Sequence, residues 1–219
     1  MFKIAVVAAA VTAAFRADAY TTTITYGATS LEPGVVTLDF DAATPAPFAY
    51  SGGALYTTSI GGITAVPPGS TGNHWSVGPS TAGLVTIGGG GASYYGFLWG
   101  SPDTYNTVKF YSGATLLGSF TGAAVYPPAN GDQSIGRYFN FFADPGAPVT
   151  QVQFLSSNYA LETDNHSVVA VPEPETYAMF LAGLGMMGAV ARRRTAAAMS
   201  SRSRRTGGKR RRCRSRSAA

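Results

Sequence analysis

The sequence predicts an all-β protein, a jelly-roll-like antiparallel β-sandwich, on three observations. Short alternating or β-branched runs follow one another from Thr21 to Val171. Glycine, proline, serine and asparagine punctuate them at the spacing of a sandwich. No segment before Pro172 holds a 3.6-residue apolar period over three turns. In order, the expected strands lie at Thr21 to Tyr26, Val35 to Phe40, Leu55 to Ile60, Leu84 to Ile87, Tyr94 to Trp99, Thr107 to Tyr111, Leu116 to Phe120, Tyr138 to Phe142, Val149 to Leu155 and Ser167 to Val171. The ninth shows the alternation plainly, with Val149, Gln151, Gln153 and Leu155 on one side and Thr150, Val152 and Phe154 on the other. Gly88 to Gly91 is expected to form a flexible hairpin loop, because no Gly-Lys-Ser/Thr follows to make it a phosphate cradle.

The two ends differ from this body. At the N-terminus, Lys3, the apolar run Ile4 to Phe15 and the A-x-A site Ala17-Asp18-Ala19 have the layout of a secretory signal peptide, so the mature chain is expected to begin at Tyr20 after signal peptidase cleavage. No twin arginine precedes the run and no cysteine follows it, which indicates ordinary export and not a lipoprotein. Near the C-terminus an extended Pro172-Glu173-Pro174 segment leads into an uncharged apolar stretch from Thr176 to Ala191, closed by Arg192, Arg193 and Arg194. Proline lacks an N–H and pushes its predecessor out of the α region, so Val171 and Glu173 are expected to be extended and open to a protease. As a helix the apolar stretch would rise about 24 Å, short against a hydrocarbon core of ~30 Å unless arginine stems snorkel or the bilayer thins. The positive-inside rule keeps the arginines cytoplasmic and puts the preceding domain outside the inner membrane. Ala178, Ala182, Gly185 and Ala189 line one face of that helix, open to a close-packed neighbour.

This constellation closely resembles the PEP-CTERM sorting signal of Gram-negative bacteria, whose motif is also labelled the C-terminal domain of ice-binding proteins. The resemblance implies an inner-membrane exosortase as processing partner, a cut near Pro172 to Pro174, transient membrane anchoring, and delivery to the cell surface or extracellular matrix. Ser93 to Gly113 and Tyr159 to Val169 also resemble the core signatures of a family of exosortase-dependent surface proteins with no established catalytic activity. That second resemblance implies an extracellular module in contact with matrix polysaccharide and carries no ligand residues with it. The expected organisation is therefore a signal peptide at 1–19, an exported sandwich at 20–171, a sorting signal at 172–194 and a disordered basic tail at 195–219.

Composition must be divided accordingly. The formal charge of the chain is +5, but twelve of its sixteen basic residues lie at Arg192 or later. The stretch 20–171 keeps only Lys109 and Arg137 against eight acids, a net charge of −6. Specific nucleic-acid binding is thus excluded for the exported domain despite the basic average. The tail has no hydrophobic periodicity, and three readings stand for it: a cytoplasmic anchor on anionic lipid, an accidental extension of the reading frame, or a nucleic-acid module. Cys213, the only cysteine, lies there, so the exported domain has no disulfide and depends on its core.

Candidate sites within the domain are few. Trp99, Asp103, Tyr105 and Asn106 either end a strand in a turn with core aromatics or form a sugar-stacking platform with polar groups beside it. Glu162, Asp164 and Asn165 make a second polar cluster whose oxygens suit calcium, without the spacing of an EF-hand loop. No other cofactor or metal is expected. His74 and His166 are the only histidines, and no HExxH, CxxC or G-x-S-x-G motif is present. Asp164, His166 and Ser167 are close in sequence, but triads assemble by geometry and not adjacency. Asn165-His166-Ser167 matches a glycosylation sequon, a eukaryotic signal in an otherwise bacterial context. Thr21, Thr23 and Thr25 alternate without the repeat that would stack them into an ice-binding array. Two functions remain: a noncatalytic surface or matrix protein binding exopolysaccharide, or a carbohydrate-active enzyme using paired acids such as Asp103 and Glu162.

Overall fold

The computed structural model describes residues 20–171, 178–188 and 192. In chain order the strands are β1 (Tyr20–Thr25), β2 (Val36–Leu38), β3 (Phe48–Ser51), β4 (Ala54–Tyr56), β5 (His74–Val77), β6 (Gly83–Ile87), β7 (Ala92–Gly100), β8 (Asn106–Ser112), β9 (Thr115–Thr121), β10 (Gly136–Ala143), β11 (Gln151–Ser156) and β12 (Leu161–Ala170). They form two antiparallel sheets. One has the order β1-β10-β7-β12-β5-β4 with β2 also paired to β12, and the other the order β3-β6-β11-β8-β9. From β5 onward the chain changes sheet at every connection except the β8–β9 hairpin.

Alternation along the strands builds the interior. Tyr95, Phe97 and Trp99 of β7, Phe139 and Phe141 of β10, Phe110 of β8 and Phe154 of β11 all belong to one buried cluster between the sheets. Phe110 and Phe141, from opposite sheets, stack with centroids 4.1 Å apart. Full burial of each such side chain contributes roughly 1.5–3 kcal/mol, which is how a domain without cysteine holds together.

β12 is central. Its first residues, Leu161 to Thr163, pair with β5, while His166 to Val168 pair with β2 on the same flank, and β7 runs along the other flank. A register shift between Asp164 and Ser167, with Asn165 at φ 49°, separates the two halves. The outer face of this sheet is covered. The Ser30 and Tyr94 hydroxyls hydrogen-bond at 2.8 Å, the Tyr94 hydroxyl donates to Asn140 Oδ1, and the Tyr138 hydroxyl donates to the Asn165 carbonyl. Gly96 lies beneath this layer, and a Cβ there would run into the Tyr94 hydroxyl and the Tyr138 ring.

Three expectations need correction. β3 and β5 were not foreseen, and the Leu55 to Ile60 run is a strand only as far as Tyr56. β12 starts at Leu161, well before Ser167, so the supposed polar cluster is strand. The tetraglycine is not a hairpin within one sheet: it carries the chain from β6 in one sheet to β7 in the other. Gly89, Gly90 and Gly91 have φ of 66°, 88° and 87°, a succession open to glycine and costly for other residues.

Candidate functional site

The sorting segment forms a unit distinct from the sandwich, beginning at Pro172. Residues 178–188 are helical, within the helix expected from Thr176 to Ala191, and Arg192, one residue past that span, is helical as well. Met179, Phe180, Leu181, Leu184, Met186 and Met187 are exposed on it. Among the described residues no helix is long and apolar enough to cross a membrane. Pro172, Glu173, Pro174, Arg193 and Arg194 lie outside the described residues, as do Ala17, Ala19 and the basic tail.

Within the sandwich, Trp99 is not a surface platform. It is 0% exposed, the third inward residue of β7 after Tyr95 and Phe97, with its ring 5.6 Å from that of Phe97. No sugar can reach a face of it, and its Nε1 has no hydrogen-bond partner. Asn106 is also buried. Its Nδ2 donates to the Ala160 carbonyl, and its Oδ1 accepts from the Ser156 hydroxyl. The Tyr105 hydroxyl donates to the Tyr159 carbonyl at 2.9 Å. The expected platform residues thus serve as a scaffold: Tyr105 and Asn106 hold the connection between β11 and β12, and that connection presents Tyr159, which is 49% exposed. Asp103 supplies the turn, its carbonyl accepting from the Asn106 N–H.

The acids of β12 do not form one ligand set. Glu162 is 3% exposed, its Oε1 accepting from the Ala65 N–H at 2.9 Å and its Oε2 from the Ser101 hydroxyl at 2.8 Å. Burial pushes its carboxyl up to about 7. Asp164 accepts instead from the Ser70 hydroxyl and the Asn165 N–H, and burial pushes it up to about 6. Asn165 Nδ2 donates to the Ala28 carbonyl. Loop residues 57–73 seal these groups in, a covering that strand periodicity does not announce. Among the described residues, no three His, Cys, Asp or Glu side chains converge where they could hold a metal ion.

The histidines are structural in their surroundings. His166 is fully buried, ringed by Phe40, Trp75, Tyr95, Phe97 and Phe154, with Nδ1 2.6 Å from the Tyr95 hydroxyl and Nε2 2.9 Å from Thr163 Oγ1. Burial drives its pKa down to about 3, so it is neutral. It hydrogen-bonds neither Asp164 nor Ser167: the Ser167 hydroxyl pairs with Thr37, and the Asp164 carboxylate with Ser70. His74, likewise buried and lowered by desolvation, contacts Thr64 through Nε2.

The stretches Ser93 to Gly113 and Tyr159 to Val169 are neighbours in space, because β7 and β12 pair along their length. No curated protein and no solved structure matches the chain. Residues 170–194 match the family described as the PEP-CTERM protein-sorting motif, which takes in the Pro-Glu-Pro segment, the apolar helix and the three arginines. The chain thus carries a PEP-CTERM protein-sorting motif at its residues 170–194.

Proposed function

We propose that this protein is an exported, noncatalytic surface or extracellular-matrix protein, processed by exosortase and binding polysaccharide through its sandwich domain. The observation that carries the reading is the sorting motif at 170–194, placed directly after the last strand of the domain. In this reading signal peptidase cuts after Ala19. The helix from Thr176 to Ala191 then holds the chain in the inner membrane with Arg192 to Arg194 on the cytoplasmic side, and exosortase cuts near Pro172 to Pro174. The exposed apolar side chains of the helix favour a nonaqueous setting. The alternation between sheets from β5 to β12, with orders β5-β12-β7-β10 and β6-β11-β8-β9, supports a jelly roll.

The enzyme reading is weaker on physical grounds. Hydrolysis by paired acids needs both carboxyls in a cleft, and Glu162 is sealed with both oxygens engaged. Calcium is likewise no part of the proposal.

The test is replacement of Pro172, Glu173 and Pro174 by alanine. Helix then propagates backward into the recognition segment, and the precursor accumulates in the inner membrane at full length. Processing and sorting at the wild-type rate would refute this role for the segment.

A further inference from the structure

From a cavity at one edge of the sandwich, we infer that the domain holds a single neutral sugar residue of a polysaccharide between Tyr56 and Tyr159. The inference rests on the polysaccharide reading above and gives it a site. The cavity measures about 190 Å³ and is lined by Tyr56, Ser76, Gly78, Ser80, Thr81 and Tyr159, among others. It forms where three sheet-crossing connections meet: the Gly52-Gly53 turn from β3 to β4, the link from β5 to β6, and the link from β11 to β12.

Each wall is fixed by a contact already made in the free protein. Trp75 Nε1 donates to the Gly52 carbonyl, and Gly53 leaves room for that indole, since a Cβ there would lie 2.5 Å from Nε1. Gly78 lies against the Tyr159 ring, where a Cβ would come within 2.7 Å of Cε1. The Tyr159 carbonyl is held by the Tyr105 hydroxyl, and the adjoining Ala160 carbonyl by Asn106. A ring held in this way loses little freedom when a ligand stacks on it.

The lining selects the ligand class. Two tyrosine rings line the cavity, aromatic surface of the kind on which the C–H side of a pyranose packs, and Ser76, Ser80 and Thr81 supply hydroxyls that both donate and accept. The lining includes no charged side chain, and the exported domain carries a net charge of −6, which repels uronate or sulfated chains at low salt. Drug-sized pockets run from ~300 Å³, so this cavity suits one ring with its chain continuing into solvent.

The experiment measures binding of the full chain, in a detergent without a sugar headgroup, to dextran, galactomannan and alginate by calorimetry. Wild type is expected to bind a neutral glycan and not alginate. Loss of one stacking partner in Tyr159→Ala weakens that binding about tenfold, whereas Tyr159→Phe stays within about twofold. Ser80→Arg, at an exposed position, blocks the cavity without touching the core and weakens binding at an unchanged melting temperature. If wild type binds and Ser80→Arg and Tyr159→Ala bind equally well, the site is wrong and the polysaccharide reading survives. If wild type binds no glycan, both fall. Binding of alginate alone overturns the neutral-ligand assignment.

Discussion

Glu162→Gln isolates the energetic cost of burying an acid in the middle of the first sheet. The carboxyl is raised by burial from its usual 4.5 to about 7, so the folded state keeps its proton over a range in which the unfolded chain has released it. Stability therefore falls as pH rises from about 4.5 to about 7 and is flat above, by about 3 kcal/mol at ~1.36 kcal/mol per pH unit. Asp164, raised to about 6, adds a slope of the same sign. His166, lowered to about 3, opposes them: below about 6.5 the unfolded chain takes up a proton that the folded one refuses. The wild-type profile is thus a partial cancellation, and only the difference between wild type and Glu162→Gln exposes the single group. Glutamine is nearly isosteric here: its carbonyl accepts from the Ala65 N–H as Oε1 does, and its amide faces the Ser101 hydroxyl, which turns from donor to acceptor at that contact. The variant is expected to match wild type near pH 4 and to exceed it at pH 8 by about 3 kcal/mol, or roughly 6–12 °C in Tm for a domain of this size. Urea titrations of the full chain from pH 4 to pH 8 check this through tryptophan emission, since Trp75 and Trp99 are both buried. Parallel curves across that range would refute the assignment of a buried, protonated Glu162.

Trp99→Ala removes a fully buried indole and is expected to cost about 3–5 kcal/mol, seen as a lower urea midpoint. Trp99→Phe costs less than its lost volume implies, because it also removes an unpartnered buried N–H whose desolvation is worth about 1–3 kcal/mol. Equal destabilisation by the two substitutions would contradict that reasoning. Protein recovered from the envelope is expected to begin at Tyr20 in N-terminal mass spectrometry, and exported material still beginning at Met1 would rule out cleavage after Ala19.

The all-β character and most strands were legible because alternation is a local signal. Val152 and Phe154 of β11 are buried together, as one of the two sides that the alternation separates. β3 and β5 were missed for a local reason too. Phe48–Ser51 sits between proline- and glycine-rich turns, and His74–Val77 mixes polar residues into a strand buried on both faces. For Trp99 the sequence leaves core and platform both open, because the polar turn that follows it suits either, while the period of two places it with the buried Tyr95 and Phe97. Glu162 and Asp164 had no such signal. Their burial comes from loop residues 57–73 folding over the sheet, and two carboxylates on one side of a strand read as solvent-facing until that cover is known. The cavity beside Tyr159 was likewise illegible, since its walls come from connections far apart in sequence.

The position of β11 and β12 within their sheets also sets a schedule. β12 joins β7 to β5 and β2, and β11 joins β6 to β8. Both sheets are therefore closed through their middles by the last two strands to be synthesised. Before residue 170 exists, the first sheet is two fragments and β2 has no strand to pair with. Closure of such distant pairings must wait for the whole domain, and early fragments gain little by folding alone. A chain built in this order stays loose for nearly its full length and acquires its shape only as the sorting motif follows the final strand. A translocation channel that needs an unfolded substrate would meet one, and any protein that reaches the processing step would already hold every strand of its sandwich.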